Sequence, residues 1–214
     1  MLLLAAATEL EVNPLADLLR QRNDAEFLLS GVGLVETALS LARFLESPKG
    51  RRISGVINYG VAGAFADSGA KLLDICLARE DCLADLGICH DNRIEKFDSL
   101  AVQTCFNADP RMFSAAVNGL SDFTTSCRKG PFITVNAVSG TAERADFFWQ
   151  QYKPLCESME GAAVMRVCQD FNLPCLEIRA VSNFVEKRNR AAWNLEGAAL
   201  RCAEAVAHIL PYLQ

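Results

Sequence analysis

Several scarcities narrow what this 214-residue chain can be. It has two histidines, His90 and His208, and neither sits in a segment that reads as a site, so no imidazole chemistry is expected of them. No Cys-x-x-Cys occurs among the nine cysteines; Cys82 and Cys89-His90 are the nearest cluster, and no metal centre is expected. Basic residues are outnumbered, 21 against 26, for a formal net charge of −5. A chain so charged is not built to neutralise a phosphate backbone, which argues against nucleic acid as a partner. No apolar run approaches the ~20 residues needed to cross a bilayer, so no membrane partner is expected. Gly31-Val-Gly33 does not extend to Gly-x-Gly-x-x-Gly, so no dinucleotide cofactor is implied. No Pro/Gly/Ser linker divides the sequence, and residues 1–214 are expected to form one domain.

The cysteine count is odd, and Cys76, Cys168, Cys175 and Cys202 sit singly in apolar runs. The nine cysteines therefore read as buried thiols of a protein in a reducing, cytoplasmic compartment. The apolar start, Met1-Leu-Leu-Leu-Ala-Ala-Ala7, lacks a basic leader and meets Glu9 and Glu11 almost at once, so it reads as a first β-strand rather than a signal segment.

Short apolar runs alternate with longer amphipathic segments, which is the rhythm of a layered α/β fold. Strands are expected at Leu2–Thr8, Glu26–Gly31, Ile53–Tyr59, Leu72–Leu83, Phe132–Val138 and Cys175–Ser182. Helices are expected at Val35–Leu45, after a cap at Ser139 or Thr141, at Met159–Phe171 and at Arg190–Leu210. Gly60-Val-Ala-Gly63 reads as a turn. The polar residues of interest therefore fall at strand ends and helix starts, where ligands gather in α/β sheets.

Four segments stand out: Ala7-Thr-Glu-Leu-Glu11, Asn58-Tyr-Gly-Val-Ala-Gly63, Ser158-Met-Glu-Gly161 and Arg179-Ala-Val-Ser-Asn183. Each has an ordinary structural reading. Glu11 could be an acid at a helix N-terminus, Glu160 a surface residue of a first helical turn, and Asn183 a turn residue after a strand. Yet a charge beside Gly161-Ala-Ala-Val-Met165 is costly to bury without a partner.

In order and content the four segments resemble the purine nucleoside phosphorylase and methylthioadenosine nucleosidase superfamily. The resemblance implies a three-layer α/β/α fold with a mixed central sheet, a small-molecule nucleoside substrate, a homodimer and no cofactor. It makes Glu11 the catalytic carboxylate that polarises water, and Glu160 with Met159 the ribose site. Asn183 becomes the catalytic group at purine N7, with Arg179 and Ser182 in support. Asn136, Ala137, Val138, Val61, Ala62 and Gly63 would line the base. Phosphorylases of the superfamily carry Arg and Ser around the middle glycine segment, where this chain has Asn58 and Val61, so water is the expected nucleophile.

The run Ser182-Asn-Phe-Val-Glu-Lys-Arg-Asn-Arg-Ala-Ala-Trp193, with Ala84-Asp-Leu-Gly87 and Val135-Asn-Ala-Val138, is similar to the futalosine hydrolases of the futalosine route of menaquinone biosynthesis. That likeness implies release of hypoxanthine from an inosine-like nucleoside. Arg188, Arg190 or Lys187 would meet the substrate's distal carboxylate and Trp193 its ring, although the same residues also read as a solvated helix start and a core tryptophan. The alternatives are a methylthioadenosine/adenosylhomocysteine (or aminofutalosine) nucleosidase, or a nucleoside-binding protein without turnover. An amide accepts once from N7–H and donates to a 6-oxo oxygen, so Asn183 favours hypoxanthine or guanine over adenine.

Overall fold

The computed structural model describes residues 1–213 apart from 23, 92, 98–99 and 124–125. Strand β1 (Leu2–Ala6) is buried at every position. It lies parallel between β2 (Ala25–Leu29) and β3 (Gly55–Ala64). Because side chains alternate across a strand, Leu2, Leu4 and Ala6 enter one hydrophobic core and Leu3 and Ala5 the other. Helices α1 (Glu9–Leu18), α3 (Pro110–Gly119) and α6 (Leu195–Ile209) cover the first core, through residues such as Leu15, Ala116 and Val206. Helices α2 (Leu34–Glu46) and α5 (Gly161–Asp170) cover the second, through Leu41 and Val164. The three layers that the resemblance implies are therefore present.

The mixed sheet also closes on itself. Strand β3 pairs in parallel with β10 (Cys175–Phe184), which runs antiparallel to β4 (Ile75–Leu83). Next come β8 (Cys127–Thr134), parallel to β4, and β9 (Cys156–Ser158), parallel to β8. Strand β9 then pairs antiparallel with the far end of β3, at Gly63 and Ala64. Helix α4 (Ala142–Tyr152) packs Ala145 and Phe148 outside this closed part, and Thr141 caps it by accepting from the Arg144 N–H. A hairpin of β5 (Ile88–His90) and β6 (Arg93–Glu95) stands apart from the main sheet.

Three expectations are corrected. The Gly60–Gly63 segment is not a turn: β3 continues through it, because β10 supplies a parallel partner along its whole length. The strand expected to reach Val138 ends at Thr134, and 136–137 are instead tied to Asp85. The cysteines are not all thiols, since Cys82 of β4 and Cys105 of β7 (Cys105–Asn107) face each other across an antiparallel pair, Cα atoms 4.0 Å apart, and form a disulfide. Cys89 is exposed rather than buried. Helix α3 was not anticipated, although Asp109 before Pro110 is a recognisable start: its carboxylate accepts from the Arg111 and Met112 N–H groups. No helix among the described residues is long and apolar enough to cross a membrane.

Candidate active site

The ends of β1, β3, β9 and β10 surround a cavity of about 330 Å³ whose lining includes Glu11, Glu157, Glu160 and Asn183. Among the described residues that line it, none is Lys or Arg.

Glu11 is the third residue of α1 and is 4% exposed. The N–H and hydroxyl of Thr8 both donate to its Oε2, at 3.0 and 2.7 Å. The Val61 N–H donates to its Oε1 at 3.0 Å. The residue is thus a helix-capping acid and a cavity carboxylate at once, and its capping bonds fix the orientation of the oxygen that faces β3. Gly60 makes this approach possible, with φ at +151° and a Cβ that would fall 2.2 Å from Glu11 Oε1.

Glu160 immediately precedes α5 and is 6% exposed. The Gly33 N–H donates to its Oε1 at 3.0 Å, and Arg179 Nη2 lies 3.6 Å from its Oε2. Burial raises the Glu160 pKa above the ordinary carboxylate value, against the pull of Arg179 and the Gly33 N–H. Met159 lines the cavity beside it. Arg179 is itself almost wholly buried and donates through Nε to Glu177 Oε1 at 2.9 Å. Burial opposes its charge, but Glu177, Glu160 and Glu11 more than offset this and hold the guanidinium protonated.

A deeper layer lies below α5. Asp81 accepts from the Thr134 hydroxyl at 2.8 Å, and Thr134 in turn accepts from the Ala162 N–H at 2.9 Å. A Cβ on Gly161 would fall 2.1 Å from Asp81 Oδ2 and 2.2 Å from Glu177 Oε2, so the two carboxyl groups fill the same niche. Asp81 Oδ1 and Glu177 Oε2 have no hydrogen-bond partner among the described residues. Burial first, and Glu177 second, push the Asp81 pKa well above its ordinary value.

Asn183 stands at the end of β10, opposite Gly63 of β3. Its Nδ2 donates to the Phe184 carbonyl at 3.0 Å, and its Oδ1 accepts from the Ser182 hydroxyl at 2.8 Å. A carbonyl can only accept, so Phe184 fixes which end of the amide is nitrogen. One amide hydrogen and one oxygen lone pair are left over. Ser182 is buried and also lies 3.2 Å from the Ala62 carbonyl.

The other residues singled out in the sequence divide. Val61, Ala62, Gly63, Val138 and Trp193 line the cavity. Asn136 and Ala137 are outside the lining, where their N–H groups face Asp85 Oδ2 at 2.8 and 3.4 Å. Arg188 is not in the lining but stacks over the Trp193 ring at 5.6 Å, and Arg190 borders a shallow neighbouring pocket shared with Trp193. His90 pairs with Glu95 and His208 with Asp122, both away from the cavity.

Sequence reasoning passed over Glu157, which is 6% exposed and lines the cavity. Its two oxygens accept from the N–H and hydroxyl of Ser139, at 2.8 and 2.6 Å. Burial raises its pKa, against the Ser139 bonds and the charge of Arg144. Two acids three residues apart, Glu157 and Glu160, in an otherwise uncharged stretch were the available signal.

The description "Phosphorylase superfamily" belongs to the family model that matches residues 27–211. Futalosine hydrolase of Streptomyces coelicolor is 31% identical over 193 residues, covering 88% of this chain and 80% of the relative. The 5'-methylthioadenosine/S-adenosylhomocysteine nucleosidase of Anoxybacillus flavithermus is also 31% identical, over 190 residues, covering 84% and 77%. Among solved structures, futalosine hydrolase of Helicobacter pylori superposes with a TM-score of 0.87 at 18% identity, covering 98% of this chain and 97% of that one.

Proposed function

The chain belongs to the phosphorylase superfamily, and on that premise we propose that it hydrolyses the N-glycosidic bond of futalosine, releasing hypoxanthine and the dehypoxanthinyl sugar. Nucleosidase chemistry is what the family and a cavity lined by carboxylates support together. As the C1′–N9 bond breaks, positive charge develops on the sugar, and Glu160 is placed to hold the ribose hydroxyls. Water adds to C1′, giving one proton to Glu11 and leaving its hydroxyl on the sugar. The bond electrons depart with the purine, which takes a proton from solvent at N7. An amide cannot deliver that proton, so the part left to Asn183 is to accept from N7–H once it has formed.

The observation that carries the choice of base is the pair of free valences on Asn183. With Phe184 and Ser182 each taking one, the amide keeps one acceptor and one donor for the ligand. A 6-oxopurine protonated at N7 presents the complementary donor and acceptor. A 6-aminopurine presents two donors. The absence of Lys and Arg from the described lining favours water over phosphate as nucleophile.

Competing futalosine against aminofutalosine without added phosphate, with both bases followed chromatographically, tests the reading. The parent is expected to favour futalosine, and Asn183→Asp to narrow or reverse the ratio by about tenfold to a hundredfold, since the carboxylate opposes O6 with a second buried acceptor. Equal cleavage of both substrates by the parent would instead support the aminopurine nucleosidase reading.

A further inference from the structure

We infer that Glu157 accepts a hydrogen bond from N1–H of the bound 6-oxopurine and is a second determinant of base choice, an inference that rests on the hypoxanthine reading above. Three strands place it there. Gly63 of β3 pairs on one side with Asn183 of β10 and on the other with Glu157 of β9. Residues directly opposite one another on paired strands project to the same face, so Asn183 and Glu157 rise on either side of a position that has no side chain. All three residues line the same cavity. The floor at Gly63 has to stay bare, because a Cβ there would fall 2.9 Å from Val185 Cγ2 and 3.0 Å from Asn183 Nδ2.

The chemistry of the base matches this order. Along one edge, N7-protonated hypoxanthine offers a donor at N7, an acceptor at O6 and a donor at N1. Asn183 answers the first two with its remaining acceptor and donor. A carboxylate beyond the glycine answers the third. Each oxygen of Glu157 already accepts one bond from Ser139, but a carboxylate oxygen has two lone pairs, so capacity remains for N1–H. Adenine has a lone pair at N1, and facing Glu157 it would oppose two acceptors out of reach of water. The bonds to Ser139 fix the carboxylate against the wall that holds Val138, so the acceptor is in place before the base arrives.

The experiment measures kcat/KM for futalosine and aminofutalosine with the parent, Glu157→Gln and Asn183→Asp. The glutamine can keep its oxygen on the Ser139 N–H while replacing an acceptor by a donor. The expected result is a fall of about tenfold to a hundredfold in the ratio of futalosine to aminofutalosine, caused mainly by loss on futalosine. If Glu157→Gln slows both substrates equally while Asn183→Asp shifts the ratio, Glu157 only holds Ser139 and the inference alone is overturned. A parent without preference between the two substrates overturns the hypoxanthine reading and this inference with it. Binding of free bases to the parent covers the case of a variant that does not fold: hypoxanthine is expected to bind at least tenfold tighter than 1-methylhypoxanthine, and equal affinities would refute the N1–H contact.

Discussion

The carboxylates that face the cavity and the pair beneath them are the same kind of group in opposite circumstances. Glu11, Glu157 and Glu160 each accept a hydrogen bond from a backbone N–H of a segment distant in sequence, at Val61, Ser139 and Gly33 respectively. Asp81 and Glu177 receive theirs from side chains, Thr134 and Arg179, and have one oxygen each without a partner. A backbone donor is fixed in place and cannot be titrated, so it holds an acceptor ready for a ligand. Around the deeper pair acceptors outnumber donors, and burial together with the neighbouring Glu177 raises the Asp81 pKa. Orientation is thus built into the upper layer and charge balance into the lower.

Removing the acid from the upper layer breaks the comparison most severely. Glu11→Gln should leave nucleoside binding largely intact yet reduce turnover by a factor on the order of 10² to 10⁴, because the proton acceptor for water is lost. Turnover within a few-fold of the parent, measured by base release, would remove Glu11 from the chemistry. In the lower layer Gly161→Ala should cost about 1–3 kcal/mol of stability, as in other overpacked sites, because the new Cβ meets both carboxyl groups. Unfolding in urea reads this directly, and an unchanged midpoint would show that the niche is not tightly filled.

The smallest effect sharpens the contrast through pH. The Asp81 pKa is raised in the folded chain, so the native state keeps a proton that the unfolded chain releases above about its ordinary value of 3.8. The stabilisation is complete below that value and declines as pH rises towards the folded pKa. Asp81→Asn, whose amide can donate to Glu177 at any pH, should flatten this part of the dependence and add about 1 kcal/mol at pH 7. Urea midpoints of parent and variant across the acidic to neutral range provide the check; parallel curves would mean that Asp81 titrates alike in the folded and unfolded chain.

Much of the fold could be read along the chain. Strand β1, helix α2 and strand β10 have runs whose period is set by burial on two faces or one, and they lie within a few residues of where the periodicity puts them. Glu11, Met159, Glu160 and Asn183 were singled out because their segments resemble, in order and content, those of a known superfamily, and all four line one cavity. Strand β9 was not, since three residues carry no period and this strand exists only because β8 and β3 flank it. The same holds for Gly60–Gly63, whose glycines suggest a turn until β10 is paired alongside.

The sequence by itself determined the layered α/β class and the residues at the strand ends, because hydrophobic period and local composition are properties of neighbours in the chain. Tertiary structure alone decided which of those residues meet. The Cys82–Cys105 bridge, the Asp81–Glu177 niche and the flanking of Gly63 by Asn183 and Glu157 all depend on strand register. Register is settled by the simultaneous burial of many side chains from segments far apart, and no local stretch of sequence contains that information.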